Sequence, residues 1–315
     1  MAVFQALRPA RLRSAGIVPS RVSARRSAAR TVPRAAAKDD WVAPEPRRFY
    51  VRPDKLLDTA TAAAGFLFRG TSGALTAGYS VKLLPDDGAT GYAVARAGGR
   101  MTVESSGVSA WARPALPLEL YEFQACPFCK RVREALTYWD LDALVYPCPR
   151  DGPTWRPKAA SMSGKKQFPF LRDPNTGKEM LESVDIMKYL AETYADGVVP
   201  SGLSSPVAPL LIGLGLLPRA GRGGKYRPSK VTAETRALTL WAYEASPFCV
   251  LVREALTELE VPHLLKSVAR GSPKRQELFA QTGLFQAPYL EDPNTGKSMF
   301  ESAEILEYLQ NQYAL

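Results

Sequence analysis

The chain repeats itself, and this repeat restricts the possible folds more than any other feature. Residues 118–137 and 238–257 are identical at 12 of 20 positions, and residues 173–190 and 292–309 at 12 of 18. Duplication at this level indicates one domain copied in tandem, with both copies keeping the same fold. A chain of 315 residues is long enough for two domains that each have a core of their own.

Each copy predicts the same order of elements. A short β-prone run leads into a helix with proline in its first turn, where the missing N–H costs little. A second strand and a second helix follow, then a hairpin around a repeated Asp-Pro-Asn-Thr-Gly-Lys turn, and last an amphipathic helix capped by Ser183 or Ser302. The expected fold is α/β: two βαβ-α-ββ-α repeats in tandem, each with a parallel strand pair, an antiparallel hairpin and helices on both faces.

Composition sets the domain boundaries. We assign residues 116–195 to repeat 1 and residues 237–315 to repeat 2. Residues 196–236 are rich in Gly, Pro and Ser and lack clear periodicity, so they are interpreted mainly as a linker.

Residues 41–115 form an N-terminal extension to which the sequence assigns no chemistry. Asp54–Phe68 is a candidate helix, and Tyr79–Leu84 and Tyr92–Ala97 are candidate partners in a hairpin. We expect this extension to brace repeat 1 or to cover a surface on it.

The first 38 residues carry most of the excess positive charge. They contain nine Arg or Lys and no acid, whereas the remainder has 41 − 9 = 32 basic against 31 acidic residues. A nucleic-acid partner is therefore not expected. An Arg-, Ala- and Ser-rich leader without acids is typical of an organelle transit peptide. We expect residues 1–38 to be such a peptide and the destination to be the chloroplast stroma. A mitochondrial destination and a basic tail without an address are the alternatives.

No apolar run reaches the roughly 20 residues that a membrane-spanning helix requires. The nearest candidate, residues 209–218, is too short and is bounded by prolines. The sequence predicts no transmembrane segment and leaves peripheral contact with a membrane open.

The motif Cys126-Pro-Phe-Cys129 lies where a predicted strand passes into a helix. Unpaired N–H groups and the helix dipole favour a thiolate there, which lowers the thiol pKa. Lys130, Arg131 and Arg133 are expected to add positive charge nearby. Cys126 is expected to be the exposed attacking sulfur and Cys129 the resolving one, a spacing typical of dithiol redox motifs.

The other possible ligands and thiols are few. The chain has four cysteines and one histidine, so a zinc site would have to recruit Cys148, Cys249, His263 or carboxylates. We expect no metal. Cys148 is interpreted as a small core residue, Cys249 as a buried inert thiol and His263 as structural.

The Cys-Pro-Phe-Cys motif, Phe168-Pro169, the hairpin and Glu182-Ser183 before a helix resemble one branch of the thioredoxin superfamily. This branch comprises the glutaredoxins and the N-terminal domains of glutathione S-transferases, and the resemblance spans about 118–195 and 238–315. The active-site stretch of repeat 1 is also similar to that of membrane-associated prostaglandin E synthase type 2. The resemblance implies two thioredoxin-like folds and glutathione as a co-substrate.

The resemblance also implies how repeat 1 would hold glutathione. Pro169 would be cis, and the backbone of Phe168 would pair with the cysteinyl part. Glu182 and Ser183 would hold the γ-glutamyl end, through a carboxylate and a helix N-terminus. Lys166, or its neighbour Lys165, would meet the glycine carboxylate. The alternative for Glu182-Ser183 is a simple helix cap.

Repeat 2 has the same positions but a serine in place of the first cysteine. The possible second site comprises five residues: Ser246, Ala287, Pro288, Glu301 and Ser302. The places of Lys165 and Lys166 are taken by Leu284-Phe285, which argues against glutathione there. We expect repeat 2 to be redox-inactive because a serine hydroxyl cannot exchange with a disulfide.

The sequence favours a glutaredoxin-like thiol–disulfide oxidoreductase that acts on a protein disulfide or a glutathionylated client. The main alternative is a non-catalytic chloroplast scaffold or assembly factor that binds partners through its paired folds. A glutathione-dependent transferase or isomerase is the third hypothesis. Classical transferases add an all-helical C-terminal domain, and this sequence has another repeat in its place.

Overall fold

A computed structural model describes residues 44–47, 50–88 and 90–315 of the chain. The transit peptide predicted for residues 1–38 lies outside the described residues, as does the start of the extension at 41–43. The described residues form one structural unit.

The extension contains helices and a small sheet. After a 3-10 turn come α1 (Leu56–Ala62), α2 (Gly65–Arg69), β1 (Ser80–Pro85), β2 (Ala95–Ala97) and β3 (Arg100–Ser105). The helix predicted over Asp54–Phe68 is thus broken into pieces. The predicted hairpin of the first two strands is wrong, because β3 lies between β1 and β2 and pairs antiparallel with both.

Repeat 1 has the predicted order of strands and helices. Its elements are β4 (Leu118–Glu122), α3 (Pro127–Tyr138), β5 (Ala143–Pro147), α4 (Trp155–Ser163), β6 (Phe170–Asp173), β7 (Lys178–Met180) and α5 (Ser183–Tyr194). β4 pairs parallel with β5 and antiparallel with β6, so the βαβ unit and the hairpin share one sheet. The apolar positions of α3 and α5 pack against β4 in a core that includes Leu120, Val132 and Leu190.

The segment between the repeats contains regular structure that its composition did not predict. It folds into α6 (Ser201–Ser204), α7 (Ala208–Leu216) and a 3-10 turn (Leu217–Arg219). Ala208, Ile212 and Gly215 are buried, whereas Val207, Leu210 and Leu217 are more than half exposed. Within the described ranges, no helix combines the length and apolarity needed to cross a bilayer.

Repeat 2 copies repeat 1 element by element. It comprises β8 (Leu238–Ala242), α8 (Pro247–Glu258), β9 (His263–Ser267), α9 (Lys274–Thr282), β10 (Tyr289–Asp292), β11 (Lys297–Phe300) and α10 (Ser302–Tyr313). The repeated Asp-Pro-Asn-Thr-Gly-Lys turn has the same role in both copies. Asp173 accepts hydrogen bonds from Tyr189 and Tyr194, and Asp292 accepts them from two tyrosines of α10. These bonds join each hairpin to its last helix.

The two repeats share one eight-stranded sheet in the order β11-β10-β8-β9-β5-β4-β6-β7. β5 and β9 pair antiparallel across the seam, with Val145 opposite His263. His263 is buried there, and burial lowers its pKa to about 4 while Nδ1 contacts the Val261 carbonyl. The seam therefore fixes the orientation of one repeat against the other.

Two equivalent segments brace the repeats, residues 53–76 (brace 1) and residues 203–226 (brace 2). Ala125 N–H donates to the Gly223 carbonyl of brace 2, and Ala245 N–H donates in the same way to Gly73 of brace 1. Gly65 and Gly215 meet between the braces, where an added Cβ on Gly215 would lie 3.2 Å from Gly65 Cα.

The ion pairs repeat the same symmetry. Arg69 of brace 1 pairs with Glu134 of α3, and Arg219 of brace 2 pairs with the equivalent Glu254 of α8. The extension therefore packs on both repeats, and chiefly on repeat 2, rather than on repeat 1 alone.

Candidate functional site

Cys126 is the N-cap of α3. Its backbone is extended (φ −87°, ψ 121°), Pro127 opens the helix, and Cys126 Sγ accepts a hydrogen bond from Cys129 N at 3.3 Å. Proline suits this position because its fixed φ is helical and the first N–H of a helix has no intrahelical partner. The geometry points a helix N-terminus at the first sulfur, as the sequence predicts.

The two thiols of the motif have opposite acidities. Hydrogen bonds from the Cys129 thiol and from backbone N–H groups lower the pKa of Cys126, against burial and the charge of Glu122. Burial raises the pKa of Cys129 well above its ordinary value. The inner sulfur therefore keeps its proton more readily than the outer one, so Cys126 is the more easily ionised thiol of the pair.

The three cations that follow the motif do not face Cys126, contrary to expectation. Lys130 Nζ binds Glu244 of repeat 2 at 2.8 Å, and Arg133 pairs with Glu122 and Glu244. Arg131 donates to the backbone carbonyls of Leu203 and Ser205 in brace 2. All three side chains are buried, and their charged groups bind carboxylates of the two repeats or backbone carbonyls of brace 2 instead of the Cys126 sulfur.

Cys126 is only 5% exposed, which corrects the expectation of an exposed sulfur. It belongs to an apolar cluster with Phe168, Trp155 and Cys148, and Phe123 packs against that cluster. Phe128, which lies between the two cysteines of the motif, is half exposed. A substrate would therefore reach Cys126 between aromatic side chains rather than at a flat surface.

Arg156 is a site residue that sequence reasoning missed. Its guanidinium lies 4.7 Å from the centre of the Phe168 ring and 5.7 Å from that of Phe123. Nε donates to the carbonyls of Cys148 and Pro149, which anchors the side chain. The sequence could have revealed it, because repeat 2 has an arginine, Arg275, at the equivalent position. Arg275 Nε donates in the same way to the carbonyls of Val268 and Ala269.

The predicted glutathione residues of repeat 1 fall on two neighbouring elements. The Phe168-Pro169 bond is cis, and Phe168 shares the apolar cluster with Cys126. Glu182 precedes α5 with φ +68°, a conformation that non-glycine residues rarely adopt, and Gln167 donates to its carboxylate. Ser183 is buried at the helix start.

Lys166 is less well placed for that role. It is exposed in the loop after α4, and no ion pair or hydrogen bond within the described chain holds its side chain at the site. The anchored Arg156 is the better candidate for a carboxylate of the substrate.

Repeat 2 reproduces this geometry without the first thiol. Ser246 caps α8 and its Oγ accepts from Cys249 N at 3.3 Å. The Ala287-Pro288 bond is cis, and Glu301 has φ +68° before α10. The five predicted residues, Ser246, Ala287, Pro288, Glu301 and Ser302, line one cavity of about 310 Å³. Cys249 is fully buried, and burial raises its pKa.

The other sulfur also lies in a core. Cys148 is fully buried in the apolar cluster, and burial raises its pKa well above the ordinary value. In the part of the chain that the structure describes, no three His, Cys, Asp or Glu side chains cluster in a way that could hold a metal.

Fold and site together define the class: two thioredoxin-like domains in tandem, one with a dithiol and one with a serine. The sequence profile of the glutathione S-transferase N-terminal domain matches residues 120–198 and again 240–315. Both repeats belong to that family, and the chain is a tandem of two such domains. Membership implies glutathione binding, the property that this domain contributes to the transferases.

Comparison with individual proteins adds little. No curated protein is significantly similar to the chain. Among solved structures, Leishmania TDR1, described as a unique trimeric glutathione transferase, is similar over 61% of this chain and 68% of its own, at 15% identity and a TM-score of 0.23.

Proposed function

We propose that the protein is a glutathione-linked thiol–disulfide oxidoreductase whose chemistry resides in repeat 1. The observation that carries this proposal is the pairing of Cys126 and Cys129. One sulfur at a helix N-terminus has a lowered pKa, and the other, buried one turn along, keeps its proton. This difference in acidity is what a dithiol exchange reaction requires.

The reaction begins with the Cys126 thiolate attacking a disulfide sulfur of the client. A Cys126–client disulfide forms as the original S–S bond breaks, and the leaving sulfur departs as a thiolate that takes up a proton. Cys129 then loses its proton, attacks Cys126 Sγ and releases the second client thiol. Two glutathione molecules reduce the resulting Cys126–Cys129 disulfide, and they leave as oxidised glutathione.

A glutathionylated client needs only Cys126. The thiolate takes the glutathionyl sulfur and frees the client thiol, and a second glutathione thiolate then releases oxidised glutathione. The groups proposed to orient glutathione are the Phe168 backbone, Glu182, the start of α5 at Ser183, and the Arg156 guanidinium beside Phe168. Arg156 takes the place first expected for Lys166.

The test incubates a glutathionylated peptide with the full chain and reduced glutathione. Mass spectrometry then measures how much of the peptide has lost its glutathionyl group. We expect Cys126→Ser to abolish turnover and Cys129→Ser to retain it, since the glutathionyl route does not use the second thiol. Cys249→Ser is the matched control, because that thiol occupies the inner position of repeat 2 and is buried. Equal activity of the wild type and Cys126→Ser would refute the proposal.

The low exposure of Cys126 favours one competing function, a scaffold that binds partners through the paired domains. A scaffold would keep its thiols inaccessible. Iodoacetamide separates the two functions: an oxidoreductase is alkylated at Cys126 in the folded state, whereas in a scaffold Cys126 reacts only after unfolding.

We also propose that residues 1–38 direct the protein to the chloroplast stroma, on the basis of their nine positive charges and lack of acids. A fluorescent protein fused to these residues should enter plastids. Uptake by mitochondria would instead support the alternative destination. Fluorescence that stays in the cytosol would contradict both destinations.

A further inference from the structure

The cavity in repeat 2 has a wall that repeat 2 does not supply. Tyr50 and residues 92–94 of the extension line it together with residues of the repeat. We propose that this cavity is a binding site for a small aromatic anion, distinct in ligand and chemistry from the dithiol site of repeat 1. Its volume of about 310 Å³ suits a small ligand, because ligand pockets commonly span roughly 300–1,000 Å³.

Six of the sixteen residues that line the cavity have aromatic side chains. The Tyr92 ring packs on Phe285 with centroids 5.0 Å apart, so the extension and the repeat join at an aromatic contact. Tyr243, Phe248 and Phe279 also line the cavity. Such walls favour a flat apolar ligand, which gains both burial and ring contacts.

Two guanidinium groups give the cavity its charge preference. Arg275 lies 4.4 Å from the centre of the Phe285 ring, with Nη1 bonded to the Tyr92 hydroxyl, and Arg270 also lines the cavity. Both arginines pair with one carboxylate, Glu104, which is not part of the lining. The lining itself carries these two cations and one carboxylate, that of Glu301, and guanidinium groups bind carboxylates and sulfonates in a bidentate manner.

The groups that would select glutathione are weakened or already engaged. Glu301 Oε1 accepts hydrogen bonds from Arg47 N and Gln286 Nε2, both at 2.8 Å, so its carboxylate is partly satisfied from within the chain. Leu284-Phe285 replaces the two lysines of repeat 1. Ser246 provides no thiol chemistry. The remaining polar selection comes from Arg270 and Arg275.

This site gives the extension a function of its own and does not depend on the proposed redox activity. The probe is 8-anilinonaphthalene-1-sulfonate, an aromatic anion whose fluorescence rises in apolar surroundings. We expect saturable binding to the full chain at one site. We also expect weaker binding of N-phenyl-1-naphthylamine, which lacks the sulfonate, and unchanged binding of the anion to Cys126→Ser.

Two substitutions locate the probe. Val94→Trp fills the cavity from the extension and should weaken binding at least tenfold. Leu84→Trp is the matched control, since Leu84 is 39% exposed on the same small sheet, Val94 is 37% exposed, and Leu84 does not line the cavity. Arg270→Gln removes a half-exposed cation and should weaken binding of the anion about fivefold while leaving that of the neutral probe unchanged.

Three results would overturn the inference. Equal binding by Val94→Trp and wild type would place the probe elsewhere, for instance on the exposed side of α7. Displacement of the probe by reduced glutathione would make the cavity a glutathione site. Absence of saturable binding would show that the cavity takes no aromatic anion.

Discussion

Glu244 of repeat 2 accepts a hydrogen bond from Arg133 Nε of repeat 1 at 3.0 Å, and both side chains are almost completely buried. Lys130 and Arg253 bind the same carboxylate at 2.8 and 3.0 Å. Removal of one member from a buried ionic cluster leaves the others without compensation, which is far more costly than losing a surface ion pair. This cluster therefore couples the two repeats.

Glu244→Gln tests that coupling. Loss of the charge leaves three buried cations underpaired, and we expect the free energy of unfolding to fall by about 3–5 kcal/mol at pH 7. The exposed Arg172–Glu179 pair is the control: Glu179→Gln should change stability by less than about 1 kcal/mol. Denaturant titration of both variants measures the difference.

The same carboxylate predicts a dependence on pH. Burial opposes its ionisation, but attraction from Arg133, Arg253 and Lys130 outweighs burial and holds the pKa of Glu244 well below its ordinary value. Its stabilisation is complete above the unfolded-state pKa of about 4.3 and is lost as pH falls below that value. The stability gap between wild type and Glu244→Gln should therefore narrow on acidification. A gap that widens below pH 4 would contradict this assignment.

The acidity of Cys126 depends first on the thiol of Cys129. Replacing that donor should raise the pKa of Cys126, so Cys129→Ala should shift the pH profile of iodoacetamide alkylation to higher pH. Cys129→Ser keeps a hydrogen-bond donor and should shift the profile less. Identical profiles for the two variants would show that the backbone N–H groups alone lower the pKa.

Arg156 is expected to act on glutathione binding rather than on the thiols. A hydrogen bond to a charged group contributes about 1.5–3 kcal/mol, so Arg156→Gln should raise the KM for glutathione at least tenfold with little change in kcat. Lys158→Gln is the control from the same helix, because Lys158 lies over Tyr146 and Trp155 instead. An unchanged KM for glutathione in Arg156→Gln would show that Arg156 does not bind glutathione.

Gly223 lies where brace 2 approaches Gln124, between the end of β4 and the thiol motif. It has φ +69°, and an added Cβ would lie 2.6 Å from Gln124 Cβ. We expect Gly223→Ala to cost about 3 kcal/mol from backbone strain and overpacking together. Gly221→Ala shares the positive φ but meets open space, and it should cost about 1 kcal/mol. Thermal unfolding of the two variants compares the cost of backbone strain alone, in Gly221→Ala, with the cost of strain and overpacking together, in Gly223→Ala.

The order of strands and helices within each repeat could be predicted because it rests on local patterns. The thiol motif at a strand–helix junction and the prolines at 169 and 288 lie in the repeated blocks or beside them. The surroundings of Cys126 could not be predicted in the same way. Lys130 and Arg133 are turned away by Glu244, which lies more than 110 residues further along the chain. No local pattern reports that pairing.

The equivalence of the two braces was missed for a related reason. Residues 65–76 and 215–226 are identical at only four of 12 positions, among them Arg69 with Arg219 and Gly73 with Gly223. These few matches fall where an ion pair or a close backbone approach requires them. The other eight positions differ between the braces, so the sequence predicts a linker around brace 2 and only a candidate helix, Asp54–Phe68, in brace 1.

The braces also bear on the origin of the chain. Each one precedes one repeat but packs mainly on the other, as α7 does on α3 and α1 on α8. Two separate copies of a brace and its repeat could form the same contacts only by exchanging braces, as domain-swapped homodimers do. End-to-end joining of such a pair would give the observed arrangement of repeats and braces. In a single chain the two halves need not be identical, so one can carry the dithiol of Cys126 and Cys129 while the other carries Ser246.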